Sequence, residues 1–361
     1  MARPAELIPL GLHGPEQHSR EAIRAVVLKN LAAIGFSSEY QTIEVNIAEP
    51  KRQNSTSTRI GGPVTVRGTD RSGRGNRVSL WAKKVDEPAR AFDSIKTLYS
   101  LLEKQGIHQP VPRPLFYDPT IGLLFMERIR GRCLLPAIAA ACIWSSDRLF
   151  DGYRERLVAI GRWMGSWHSA ASVGKSTTLT SMVPAIEGTL GGSDFAVEER
   201  NQLREHLRRL AGSAIAHAEW PLVTPHNDIT LRNVFVDDES FHVIDWDAMV
   251  HPAFPRQTIV WWDLITLLMN IESLMRFHPL ISREKLRQLC SALWRGYMGG
   301  RSGAQIGLDE FRSSIMFVVV LLYYCGVGSD RPLHRIYQHH LGWRYSRAVR
   351  RRLLAGSGSL F

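Results

Sequence analysis

The spacing of apolar positions changes along this chain. From Pro15 to about Ala33, Ile23, Val26, Val27 and Leu31, followed by Ile34, recur at helical intervals, and Glu16 and Glu21 lie near the positive end of the predicted helix dipole. Residues from about Tyr40 to Val85 partly alternate instead. T-I-E-V-N-I, P-V-T-V-R and R-V-S-L-W-A are rich in β-branched residues and are separated by the polar runs PKRQNSTST and GTDRSGRGN, which predicts a three-strand meander with two loops. Helical spacing returns over 88–104, with Phe92, Ile95, Leu98, Leu101 and Leu102 on one face. The run P-V-P-R-P at 110–114 stops it, and G-L-L-F-M-E-R-I at 122–129 reads as a short apolar strand. After Gly131, helices are predicted over roughly 151–170, 197–216, 258–275, 283–299 and 309–325, interrupted by one polar, strand-rich island at 223–250. This order predicts an α+β protein: a helical extension over residues 1–37, a small β-rich part over 38–128 and a larger helical part over 129–361.

At 361 residues the chain is long enough for two cores, and 44% apolar with 22% charged residues excludes global disorder. The formal charge of +11 favours anionic ligands without choosing among nucleotides, acidic glycans, lipid and nucleic acid. Arg344, Arg347, Arg350, Arg351 and Arg352 crowd one segment near the C-terminus. Such runs are ordinarily solvated faces, so a nucleic-acid partner is not expected, while a peripheral membrane contact stays open. Cys133, Cys142, Cys290 and Cys325 follow no C-x-x-C spacing, so reduced thiols are expected and neither a zinc site nor a disulfide framework is. The opening MARPAELIPLGLHG lacks the apolar core of a signal peptide, and the run Ile315 to Val327 falls short of the roughly 20 residues that span a bilayer, so a cytoplasmic protein is expected. Oligomeric state has no signature in the sequence.

The island reads P-H-N-D-I-T-L-R-N-V-F-V-D-D-E-S-F-H-V-I-D-W-D. Phosphoryl transfer from a magnesium–nucleotide complex needs a carboxylate to take the acceptor proton, oxygen ligands for the cation and positive charge on the phosphates. Asp228 and Asn233 lie five residues apart on a loop leading into the strand V-F-V. The turn D-D-E-S and the strand F-H-V-I then deliver Asp245. Such a hairpin puts Asn233 at the base of one strand and Asp245 at the end of the next, where two hard oxygen donors can share one Mg²⁺. Asp228 precedes the hairpin and is left to face an acceptor.

H-N-D-x-x-x-x-N followed by I-D-W-D resembles the aminoglycoside phosphotransferase and choline kinase-like family of the protein-kinase-like superfamily. The resemblance implies a two-lobed kinase-like fold that binds ATP and Mg²⁺ and transfers the γ-phosphoryl group to a hydroxyl of a small molecule or glycan. It implies Asp228 as catalytic base, His226 as the brace of its loop, and Asn233 and Asp245 as metal ligands. Asn227 stands where the family's H-G-D has glycine, and W-W-D-L-I-T-L-L makes Asp263 a structural carboxylate. The family's third strand ends in a phosphate-binding lysine, for which Lys83 and Lys84 are candidates. They alternate across the strand, so one faces the nucleotide, and Lys83 is preferred from the preceding A-K pattern. Ser55 and Thr56 lie where relatives cover the phosphates, and the backbone of Glu127 to Ile129 lies where the family's hinge pairs with adenine. G-R-W-M-G-S-W-H at 161–168 matches a helix ending in a structural histidine, His168.

The main departure is on the helix after the lysines. Ala91 occupies the register of the family's glutamate, with Asp93 and Glu87 as imperfect substitutes. A nucleotide-binding pseudokinase with a regulatory or scaffold role is therefore the alternative to an active enzyme. Trp246, Trp261, Trp262 and Trp294 are candidates to stack on a sugar ring, with a packed core as the other reading. V-G-K-S-T at 173–177 imitates a phosphate-binding loop, but a helix precedes it in place of the required strand. His334, His339 and His340 show no metal-ligand spacing.

Overall fold

A computed structural model describes residues 15–37, 39–47, 61–144, 147–193, 195–250, 256–276, 280–301, 306–325 and 343–357. Ser55, Thr56, His334, His339 and His340 lie outside them. The chain divides into two compact units, residues 1–96 with 112–129, and residues 97–111 with 130–361.

The first unit contains α1 (Pro15–Lys29), β1 (Tyr40–Ile47), β2 (Gly61–Asp70), β3 (Gly75–Lys84), the start of α2 (Pro88–Lys104), β4 (Pro114–Asp118) and β5 (Leu123–Glu127). Its strands form one antiparallel sheet in the order β1-β2-β3-β5-β4. Val64, Val66, Leu80, Ala82, Leu123 and Phe125 recur every second residue, so the pleat gathers them on one side, where they cluster with Ile23, Val26 and Val27 of α1. The three-strand meander is present, and β4 adds an edge strand that the sequence reading missed. Its prolines look like a breaker, yet Pro114 opens an edge strand, where a missing N–H costs no ladder bond.

The second unit contains β6 (Arg132–Cys133), α3 (Leu134–Trp144), α4 (Asp147–Ala170), β7 (Ser172–Thr177), α5 (Leu179–Gly191), α6 (Val197–Ala211), α7 (Ala214–His217), β8 (Trp220–Val223), β9 (Val234–Val236), β10 (Phe241–Val243), β11 (Thr258–Ile259), α8 (Trp262–Glu272), α9 (Arg283–Gly300), α10 (Leu308–Ser313), α11 (Ile315–Cys325) and α12 (Trp343–Leu354). Helix α3 was missed because L-L-P-A-I-A-A-A-C-I-W is apolar nearly all round and carries no 3.6-residue stripe. The decoy V-G-K-S-T forms the strand β7, which pairs with β8, and is not a loop opening a helix.

Helices α4 and α9 approach closely along glycines. A Cβ on Gly165 would stand 2.5 Å from the Tyr297 carbonyl oxygen, and one on Gly161, Gly296 or Gly300 would meet the facing backbone closer still. The seam brings the ends of both helices to the buried N-terminal turn of α8. Trp246, Trp261 and Trp294 are buried in the aromatic core around it, which matches the packed-core alternative for these three. Cys133, Cys142 and Cys290 are free thiols, and burial pushes Cys142 up to about 11. Among the described residues no helix is long and apolar enough to cross a membrane.

Candidate active site

The loop between β8 and β9 and the hairpin that follows bring the sequence-predicted residues together. In the turn, the Asp237 carboxylate accepts from the backbone N–H of Glu239 (3.1 Å) and from the N–H and hydroxyl of Ser240 (2.6 and 2.8 Å). The Ser240 contacts hold this carboxyl below its ordinary range. Val234 pairs with Val243, and the Ile244 N–H donates to the Asn233 carbonyl at 2.9 Å. Asn233 and Asp245 therefore flank the open end of the hairpin, Asp245 one residue beyond the ladder.

Asn233 also closes the loop on itself. Its Nδ2 donates to the Asp228 carbonyl at 2.8 Å and to Asp228 Oδ2 at 2.9 Å. The amide nitrogen orients the carboxylate. His226 ties the loop to the second strand: its Nε2–H donates to the Ile244 carbonyl at 2.8 Å, and its Nδ1 accepts from the Asp228 N–H at 3.3 Å. A backbone acceptor on one nitrogen and a backbone donor on the other select a single neutral tautomer. The ring lies edge-on to Trp246, centroids 4.5 Å apart, so the tryptophan of I-D-W-D is a wedge against the loop.

Beneath the loop lies a buried carboxylate. Asp263, in the first turn of α8, accepts from the backbone N–H of His226 at 2.8 Å and of Asn227 at 3.0 Å. His168, from the end of α4, places Nε2 3.2 Å from the same carboxylate and Nδ1 2.8 Å from the Tyr297 hydroxyl. That hydroxyl in turn donates to the Val260 carbonyl at 2.9 Å. Burial raises the Tyr297 pKa well above its ordinary value, so it stays a hydroxyl. Sequence reading found Asp263 and His168 but not Tyr297, because an aromatic on an amphipathic helix carries no signal for its partner. It also missed Asn270, two turns along α8 from Asp263, whose Oδ1 accepts from the Leu231 N–H at 3.2 Å.

In the sheet of the first unit, Lys84 donates Nζ to the Ile121 carbonyl at 2.7 Å, in the turn between β4 and β5. Lys83 is half-buried and alternates to the face opposite Leu80 and Ala82. The backbone N–H groups of Glu127 and Arg128 donate to Arg113 and Ser79 carbonyls, at 2.9 and 3.1 Å, and Ile129 follows beyond the ladder. On α2, Ala91 is buried, and Glu87 is engaged by Arg90 at 3.0 Å.

The donor set suits magnesium. Mg²⁺ retains water and phosphate oxygens and needs only one or two protein oxygens, which Asn233 and Asp245 would supply. Among the described residues no three His, Cys, Asp or Glu side chains are grouped as a complete metal site.

No family model and no curated protein sequence matches the chain. Solved structures do resemble it in the course of the chain. A glucosamine kinase shares 13% identity, with a TM-score of 0.44 over 90% of this chain and 77% of that one. Choline kinase LicA from Streptococcus pneumoniae shares 13%, with a TM-score of 0.46 over 94% and 98%. A choline/ethanolamine kinase family protein from Mesorhizobium loti shares 17%, with a TM-score of 0.42 over 94% and 98%.

Proposed function

We propose that this chain is an ATP-dependent, magnesium-requiring phosphotransferase acting on a hydroxyl of a small molecule or glycan. The observation that carries the reading is the closed constellation of the second unit: Asp228 held by the Asn233 amide, and His226 joining its loop to the residue before Asp245. In this reading the Asp228 carboxylate orients the acceptor hydroxyl and takes its proton as the hydroxyl oxygen bonds to the γ-phosphorus and the bond to ADP breaks. Mg²⁺, when bound, offsets charge on the phosphate oxygens, and Asn233 and Asp245 hold it. Lys83, half-buried on the strand face opposite Leu80 and Ala82, is assigned to the phosphates. Ile129 is assigned to the adenine edge through its backbone, and Ser55 and Thr56 to the phosphate-covering loop. The kinases of similar chain path act on amino sugars and amino alcohols, which makes those the first acceptors to try.

The buried Ala91 and the engaged Glu87 favour a second reading, a nucleotide-binding module without transfer. One experiment separates the two. The chain is incubated with γ-labelled ATP and a panel of amino sugars, amino alcohols and aminocyclitols, and label on the acceptor is counted. Transfer is expected with Mg²⁺ and lost with chelator, and Asp228→Asn lowers it by about 100-fold or more while nucleotide binding persists. Nucleotide binding without transfer to any acceptor, identical in Asp228→Asn, selects the second reading.

A further inference from the structure

We infer that Asn270 is a positioning residue that sets the metal-binding end of the catalytic loop. Helix α8 presents two polar side chains to this loop, seven residues apart and therefore two turns apart on one face. Asp263 holds the base end through the His226 and Asn227 N–H groups. Asn270 holds the other end through the Leu231 N–H.

Leu231 is held on its other side as well. Its carbonyl accepts from the Leu135 N–H at 3.0 Å, at the start of α3, and its side chain is fully buried. The peptide group between Thr230 and Leu231 is held at its N–H by Asn270 and at its C=O by the Asn233 N–H, 3.0 Å away, so Asn233 inherits its direction. Asn233 then performs two tasks with one amide: Nδ2 orients Asp228, and Oδ1 is left for the cation. A shift of the 230–231 peptide would turn Asn233 and so disturb carboxylate and cation together. The rigid helix between Asp263 and Asn270 acts as a ruler that keeps the two ends of the loop at a set separation. Asparagine suits the task because it offers an acceptor oxygen beside the cation site without a second negative charge.

The kinetic part of this inference rests on the proposed transfer reaction; the structural part does not. The test compares Asn270→Ala, which removes the acceptor, with Asn270→Asp, which keeps an oxygen for the Leu231 N–H. Amide hydrogen exchange of the full chain without ligand is the first readout. Asn270→Ala is expected to speed exchange at Leu231 by about tenfold while His226 and Asn227 keep their protection, and Asn270→Asp is expected to restore the slow rate. The second readout is the magnesium dependence of transfer. Asn270→Ala should lower kcat by about tenfold and raise the half-saturating Mg²⁺ concentration with acceptor KM unchanged, and Asn270→Asp should recover kcat to within about threefold. Unchanged exchange at Leu231 in Asn270→Ala would overturn the inference, as would equal loss in both variants or a rise in exchange across the whole second unit. If the wild-type chain transfers no phosphoryl group, the reaction proposed above fails, and exchange at Leu231 still decides the positioning role.

Discussion

Asn227 holds φ at 71° beside Asp228, and Asp245 holds φ at 68° at the far end of the hairpin. This left-handed region crowds the Cβ of an L residue, and only glycine enters it freely, with asparagine and aspartate the best of the rest. Asn227 and Asp245 are thus residue types that tolerate the conformation their loop imposes. Asn227 adds a long contact, Nδ2 to the Ala248 carbonyl at 3.5 Å, toward the turn that follows Asp245. Asn227→Gly is expected to fold normally, whereas Asn227→Val forces a β-branched side chain into this region at a cost of about 1–2 kcal/mol, readable as a lower urea midpoint. That Asn227 precedes Asp228 was legible in the chain; its φ was not, because φ is a property of the folded loop. The same holds for the two lysines. Alternation separates Lys83 from Lys84, but only the fold shows that Lys84 donates to the Ile121 carbonyl.

At the level of elements, the buried core of the site is assembled by the α4–α9 seam. His168 leaves one helix to meet Asp263 and Tyr297 leaves the other to meet His168, 129 residues apart in sequence, because glycines let the two backbones touch. Gly296→Ala would drive a methyl group into the Val158 carbonyl, and backbone cannot swing away as a side chain can. The helices must separate, at a cost of about 1–3 kcal/mol or more, so the variant is expected to melt earlier and to lose transfer in proportion as His168 withdraws from Asp263. G-R-W-M-G and G-Y-M-G-G are plain in the sequence, yet small residues four apart say only that something comes close, not what. The hairpin is the contrasting case. V-F-V, D-D-E-S and F-H-V-I carry their own alternation and turn chemistry, so its strands and turn were legible without any neighbour.

Over the whole molecule, the surplus of positive charge is partly turned inward. Arg350 of α12 pairs with Glu199 of α6, 151 residues away, with its guanidinium 4.7 Å from the Phe195 ring centre. Gln202 donates to the Leu354 carbonyl at 2.6 Å, capping the same helix. The Arg350 hydrogen bond is the largest cause holding the Glu199 carboxyl below its ordinary 4.5. A carboxyl lowered on folding stabilises the native state above its unfolded pKa and stops doing so as pH falls through the lowered value. The stability difference between wild type and Glu199→Gln, about 1 kcal/mol or less, should therefore be present at pH 7 and fade as the pH falls below the carboxyl's ordinary range in parallel urea titrations. By itself the sequence determined what lies within reach of a few residues: the alternating front, the loop and hairpin bearing Asp228, Asn233 and Asp245, and the identity of Asp263 as a buried carboxylate. Periodicity and turn chemistry are local, so they survive without the rest of the fold. Tertiary structure alone decided which partners meet: His168 and Tyr297 around Asp263, Asn270 on Leu231, and three tryptophans in the core. Those pairings depend on how helices dock, and docking is set by the summed packing of many side chains, which no single segment encodes.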